Sequence, residues 1–332
     1  MKIALITPAG ARSRSGNRHT AVRWAAMLGS LGHSVRVSRV WDGRPADAMI
    51  ALHARRSHAS IAAFSKRHPG APLVVVLTGT DLYRDIRTDR DAQVSLELAG
   101  RLVVLQDRGR RELAPRLRSK TRVIYQSAET HPSPQGKSRG FRIAVLGHLR
   151  EEKDPFCAAL ALAHLGDLPD LEVIQLGAAL SPAMRRDARR IARIEPRYRW
   201  LGNVPHAKAL DWLAGSRLLV LSSRMEGGAN VVCEAAAAGV PVIASRISGN
   251  VGMLGGDYPG YYRLGDERAL ARQIRRAALD PRYYARLKRL TAVRRRLFRP
   301  AAERAGLRKL LAELARLQAR SSASRTGAKL RR

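Results

Sequence analysis

Cysteine is nearly absent: Cys157 and Cys233 are the only two in 332 residues. They lie far apart, which argues against a disulfide framework and fits a reducing compartment, so a cytoplasmic location is expected. Aromatic residues make up only 5%. Proteins that grip nucleic acid by stacking interleave aromatics with their basic residues. That pattern is missing, as is any groove-reading motif, so nucleic acid is not an expected partner. No stretch approaches the roughly 20 apolar residues that span a bilayer, and 1–9 is too short and too soon interrupted to act as a secretory signal. Asp and His do not cluster at metal-ligand spacing, so no obligatory metal or other cofactor is expected. Acidic residues are also short, 27 against 61 lysines and arginines, for a formal net charge of +34. A solvated basic face or an anionic ligand accounts for that excess equally well. Either way the field draws polyanions towards the molecule. Nothing in the sequence sets the oligomeric state.

What is present is a βαβ rhythm. Hydrophobic residues are 45% of the chain, and 332 residues suffice for two domains of ordinary size. Strand-like runs are read at 2–8, 35–40, 47–52, 73–77 and 101–106, with helical spacing between them, as at 20–31. A cluster of Pro, Ser and Gly from Thr130 to Gly140 reads as a linker. Beyond it the rhythm restarts, with strands at 141–146, 171–176, 199–201, 218–221 and 240–244. Helices follow at 266–279, 283–297 and 300–318. The expected organisation is therefore a domain over 1–135, a second over 141–297, and a mobile basic tail over 319–332.

The segment from Arg217 to Ala244 carries the most information. Leu218 to Leu221 is a short apolar run suited to a buried parallel strand. Gly227 and Gly228 interrupt it, and Asn230 can cap the alanine-rich helix that follows. Gly239 suits the C′ position and Pro241 bars continuation. Glu226 thus sits on the loop at a strand's carboxyl end, and Glu234 on the first turns of the next helix. Open α/β sheets bind ligands at such ends, and a helix N-terminus favours phosphate. A glutamate beside a phosphate is useful only if it holds hydroxyls. Two of them flanking one helix end suggest a diphosphate with hydroxyls on both sides, which describes a nucleotide sugar.

Glu226-x7-Glu234, an alanine-rich helix and Gly-Val-Pro-Val-Ile-Ala together resemble the donor-site signature of retaining glycosyltransferases of the GT-B fold. The resemblance implies an α/β chain of two Rossmann-like domains facing a central cleft, with the final helix crossing back onto the first. It implies that Glu226 faces the sugar hydroxyls and Glu234 the ribose diol, with Gly227, Gly228, Ala229 and Asn230 at the phosphates. Gly147-His148-Leu149-Arg150-Glu-Glu-Lys153 is similar to the family segment whose Arg and Lys hold the leaving diphosphate. Lys153 matches. His148 stands where Arg is usual, leaving one permanent charge fewer unless Arg150 or Arg224 compensates. Asn203 and Val204 match the segment that packs on the nucleotide base. The small-residue loop after the first strand, with Ser15, Gly16, Asn17 and Thr20, matches the family's glycine-rich loop facing donor and acceptor, and its backbone N–H groups could form an anion nest.

Two further loops lie where an acceptor would sit: His53-Ala-Arg55-Arg56-Ser57, and Thr78-Gly79-Thr80-Asp81-Leu-Tyr83. The basic trio His53, Arg55 and Arg56, with Thr80 nearby, suits an anion. With Thr-Pro-Ala…Ser-Gly-Asn-Arg and Gly-His-Leu-Arg-x-x-Lys-Asp-Pro, these loops resemble the selenosugar synthases of selenoneine biosynthesis. Members of that group couple selenophosphate to the sugar of UDP-glucose or UDP-N-acetylglucosamine and release UDP. Such a nucleophile arrives already anionic and needs no general base, unlike a hydroxyl. Lys153, His148 and Glu226 are then the residues expected at the reaction centre. Two alternatives stay open: an O-glycosyltransferase acting on an anionic lipid or saccharide, and a basic protein binding nucleic acid or a membrane surface on a transferase fold.

Overall fold

The computed structural model describes residues 1–11, 13, 15–130 and 140–329, with helical side chains as far as Arg316. The linker read at 130–140 therefore falls almost wholly outside the described residues, as do the last three residues of the basic tail. The chain divides into two compact units, 1–126 with 300–332, and 127–299.

The first unit is built on six parallel strands: β1 (Lys2–Ile6), β2 (Ser34–Ser38), β3 (Ala48–Leu52), β4 (Leu73–Leu77), β5 (Arg101–Val104) and β6 (Thr121–Val123), in the order β2-β1-β3-β4-β5-β6. β3 and β4 are buried at every position. Their unbroken apolar sequences follow from this, because central parallel strands are covered on both faces. Alternate residues serve opposite cores. Ile50, Leu52, Val74 and Val76 pack with Trp24, Leu28, Leu307 and Leu310, while Met49, Ala51, Val75 and Leu77 pack with Ile61, Phe64 and Leu96.

The helix Pro300–Lys329 belongs to this first unit. Its Glu303 is fully buried and accepts from Trp24 Nε1 at 2.6 Å and Arg23 Nε at 2.8 Å. A buried carboxylate is tolerated only when its charge and lone pairs are met, as here. One turn on, the missing side chain of Gly306 lets the helix press against Ile124, and Glu313 holds Arg101 and Arg122.

The second unit repeats the plan with β7 (Phe141–Leu146), β8 (Leu171–Leu176), β9 (Tyr198–Trp200), β10 (Leu218–Leu221), β11 (Val242–Ser245) and β12 (Tyr261–Tyr262), all parallel, in the order β12-β11-β10-β7-β8-β9. In each sheet the chain reverses its direction of build once, between β1 and β3 and between β7 and β10. The loops at the carboxyl ends there can diverge, and such switch points are where open α/β sheets bind ligands.

Several boundaries differ from the sequence reading. The first helix begins at Gly16, not Thr20, and the last is recorded to Lys329, past the expected end at Gln318. β6 and β12 were not anticipated. Strands of three and two residues are too short to show a period of their own.

Candidate functional site

In the second unit the β7/β10 switch point gathers most of the residues singled out above. After β10 the chain runs through Ser222 and Ser223 to Glu226, then enters the helix Asn230–Ala237. Ala229, not Asn230, holds the N-cap position, and Asn230 is the first helical residue. The helix ends as expected. Gly239 adopts φ 67°, and the N–H groups of Gly239 and Val240 reach back to Ala236 and Ala235, the paired bonds of a Schellman motif.

The loops after β7 and β10 are stitched together. Ser222 Oγ donates to the Asp154 carbonyl at 2.7 Å, and the Arg224 N–H to the Glu152 carbonyl at 2.9 Å. This brings Lys153 Nζ to 2.5 Å from Glu226 Oε1, which also accepts from Ser223 Oγ at 2.6 Å. Glu226 is only 7% exposed. A side chain at position 249 would stand 1.9 Å from the Glu226 carbonyl oxygen, so only glycine lets the neighbouring helix pass. Gly147, Lys153, Gln175, Ser222 and Ser223 line a small crevice beside the pair.

The other cations of this region are partly engaged. Arg150 lies 4.0 Å from Glu152, and Arg224 3.8 Å from Asp154. Burial raises the Asp154 carboxyl above its ordinary range, with Arg224 opposing. His148, half-buried, accepts from the Ala178 N–H on Nδ1 at 3.1 Å, so in the neutral ring Nε2 carries the proton. Gly147 accompanies it at the end of β7. Gly227 and Ala229 are buried and Gly228 half-buried in the turn before the helix, while Asn203 is exposed and Val204 half-buried on the turn after β9.

Glu234, half-buried, pairs with His206 Nε2 at 2.9 Å. His206 opens the helix His206–Gly215. Neither it nor Ser223 was singled out in the sequence. Nothing local marks His206, because its partner comes from another helix. Ser223 could have been found from its spacing, three residues before Glu226 on a tight loop.

The β1/β3 switch point of the first unit carries the second group. Ser15 caps the helix Gly16–Ser30 without a side-chain bond to it, and Gly16 and Asn17 form its first turn rather than a free loop. Thr20, expected as an acceptor contact, lies inside the unit with partners of its own. It is buried, and its hydroxyl lies 2.9 Å from the Gly16 carbonyl and 2.6 Å from Gln126 Oε1. Its position in the second turn turns it inward.

Of the basic trio His53, Arg55 and Arg56, His53 is likewise interior. It is 2% exposed and adopts φ 74°, a left-handed conformation rare for residues other than glycine. Its Nε2 lies 3.1 Å from Thr80 Oγ1, and its Nδ1 accepts from the Arg56 N–H at 3.3 Å. Burial pushes the imidazole below its ordinary value, with Asp81 opposing. Arg55 and Arg56 are exposed. Arg55 Nε donates to Asp85 Oδ2 at 2.9 Å.

Asp81 and Asp85, both buried and given no role in the sequence reading, organise this region. Asp81 accepts from the N–H groups of Thr78, Gly79 and Ala54 at 2.9, 2.9 and 3.0 Å, locking the loop after β3 to that after β4. Thr78-x-x-Asp81 has capping-box spacing, which was the available signal. Among the described residues no group of His, Cys, Asp and Glu could hold a metal, and no helix is long and apolar enough to cross a membrane.

Residues 140–280 match the family model described as glycosyl transferases group 1. The chain is similar in fold to HepE of Anabaena, solved in complex with UDP (TM-score 0.76, 17% identity, covering 94% of this chain and 100% of that one). It is also similar to sucrose-phosphate synthase of Thermosynechococcus elongatus (0.77, 17%, 94% and 98%) and to a glycosyltransferase of Rickettsia africae (0.72, 14%, 95% and 98%). No curated protein matches the sequence. Two parallel-sheet α/β units of this kind make the fold that of the GT-B glycosyltransferases.

Proposed function

We propose that the protein is a glycosyltransferase that takes a UDP-sugar donor on its second unit and selenophosphate as acceptor, forming a selenosugar and releasing UDP. The observation that carries the donor half is the Lys153–Glu226 pair beside the start of the helix Asn230–Ala237, with Glu234 on the same helix. A cation and a helix N-terminus favour a diphosphate, and two carboxylates suit the hydroxyls on either side of it. The match of 140–280 to group 1 glycosyl transferases covers these residues. HepE, similar in fold, has been solved with UDP and with UDP-glucose.

In this reading Glu234 holds the ribose diol and Glu226 the sugar. Lys153, already anchored on Glu226, meets the charge that develops on the leaving diphosphate; preorganised charge of this kind is the usual source of rate in such a step. The selenium anion attacks the anomeric carbon, the C–Se bond forms as the C–O bond to the diphosphate breaks, and UDP leaves with the electron pair. No proton has to be removed from the nucleophile. The acceptor half rests on Arg55, Arg56, Thr80 and the Ser15–Asn17 turn, and on the resemblance of these loops to selenosugar synthases.

Incubation with UDP-glucose or UDP-N-acetylglucosamine and selenophosphate should release UDP and give a sugar bearing selenium at its anomeric carbon, read by mass spectrometry. Transfer to a hydroxyl acceptor with no selenium product would replace this reading with the O-glycosyltransferase. Arg150 and Arg224 stand only 4.0 and 3.8 Å from Glu152 and Asp154, pairs loose enough for either guanidinium to turn to an anionic lipid or saccharide, and this is the observation favouring that second reading.

A further inference from the structure

We infer that His53 sets the specificity of an oxyanion site at the carboxyl ends of β3 and β4, by fixing Thr80 as a hydrogen-bond donor to the ligand. This deepens the acceptor half of the proposed function and rests on it. The direction of the bonds around the ring sets the roles of both nitrogens. A backbone N–H can only donate, so Arg56 N–H, 3.3 Å from His53 Nδ1, makes that nitrogen the acceptor. The proton of the neutral ring then lies on Nε2, 3.1 Å from Thr80 Oγ1. Thr80 Oγ1 is therefore the acceptor in that bond, and its own hydrogen is directed elsewhere. Among the described residues no other group accepts it.

The surroundings sharpen the choice of ligand. Asp85, whose Oδ2 lies 3.9 Å from His53 Nε2, is engaged on both oxygens, by Arg55 Nε at 2.9 Å and Arg84 Nε at 3.2 Å. Holding Arg55 by Nε orients its fork and leaves the two terminal nitrogens for a ligand. The cluster thus offers a hydroxyl hydrogen and a guanidinium edge, donors only, and neither His53 nitrogen can receive a proton from a ligand. A neutral hydroxyl needs an acceptor for its hydrogen and a base for reaction. A tetrahedral oxyanion needs neither, and it matches the fork geometry of arginine.

His53 holds this arrangement at a conformational cost. Its φ of 74° is of the kind retained where the surroundings enforce it, often at ligand sites. Asp81 supplies the enforcement, bonding Ala54 on one loop and Thr78 and Gly79 on the other. Asp81 to Asp85 forms a π-helical turn, a local geometry frequent at functional sites.

Orthophosphate is the probe, titrated into the full chain by calorimetry with Thr80→Ser and Thr80→Val for comparison. Thr80→Ser should bind within about threefold of wild type, and Thr80→Val, which keeps shape and loses the hydrogen, about tenfold more weakly. Equal affinity in Thr80→Val overturns the inference. UDP titrated separately should bind all three alike. Loss of UDP binding in the wild type would sink the donor assignment, while the phosphate series still judges this one. For His53 the readout needs no substitution. The ¹⁵N shifts of the labelled imidazole in wild-type protein should report the Nε2–H tautomer, and a ring protonated on Nδ1 instead would refute the direction of the relay.

Discussion

Removing Lys153 should reveal two separable roles for one side chain. Lys153 Nζ lies 2.5 Å from Glu226 Oε1, and the glutamate is 7% exposed, so Lys153→Met leaves a carboxylate in the protein with Ser223 as its described side-chain partner. Breaking a fully buried pair by deleting one partner costs about 3–5 kcal/mol. The lysine side chain is 21% exposed, so water can replace part of it, and we expect about 2 kcal/mol by discounting that range. For a unit of this size this lowers Tm by roughly 4–8 °C. The double variant Lys153→Met/Glu226→Gln removes both charges, while the amide oxygen that replaces the carboxylate can still accept from Ser223. Its Tm should therefore return to within about 2–4 °C of wild type. Turnover should not return. It should stay about 100-fold or more below wild type in both variants, because the cation facing the leaving group is gone. Differential scanning calorimetry and UDP release, measured on wild type, both single variants and the double variant, complete the cycle. A double variant that regains turnover would show that Lys153 serves only to neutralise Glu226. A Lys153→Met protein as stable as wild type would show that the pair adds nothing to folding.

Three other outcomes test the rest of the framework. Glu234→Ala should weaken UDP binding by about 2 kcal/mol from lost charge-assisted bonds to the ribose, and unchanged affinity by calorimetric titration would remove Glu234 from the site. Glu303→Leu should destabilise the first unit by about 3 kcal/mol, because Arg23 and the Trp24 N–H lose a shared buried partner; urea unfolding followed by tryptophan fluorescence reads this, and a shift below about 1 kcal/mol would contradict it. Because burial depresses His53, the unfolded chain takes up its proton first as pH falls. The stability of the first unit is then full above about pH 6.5 and declines below it, and a His53→Asn variant, whose residue tolerates positive φ, should lose that part of the decline.

The amino-acid order alone determined the two parallel sheets. Runs such as Leu73–Leu77 are apolar at every position, and in a chain that alternates strands with helices this happens only where both faces are covered. It also determined the end of the helix Asn230–Ala237, since Gly239 and Pro241 act through their own backbones, and it placed Glu226 and Lys153 on loops after strands and Glu234 on the helix that follows. Partners distant in sequence were a different matter. His206 reaches Glu234 across 28 residues and Lys153 reaches Glu226 across 73, and no local rule supplies such pairs. Thr20 and His53 were read as acceptor contacts from their places near strand ends, and the structure puts both in the interior. A threonine or histidine after a strand is equally compatible with solvent and with interior, and the choice depends on whether the fold supplies bonding partners. Gln126 supplies them for Thr20, and Thr80 with the Arg56 N–H supplies them for His53. Period and propensity act within a few residues and fix the elements. Burial, hydrogen-bond direction and the pairing of charges are set by groups that meet only when the sheets have formed, so those the tertiary structure alone decided.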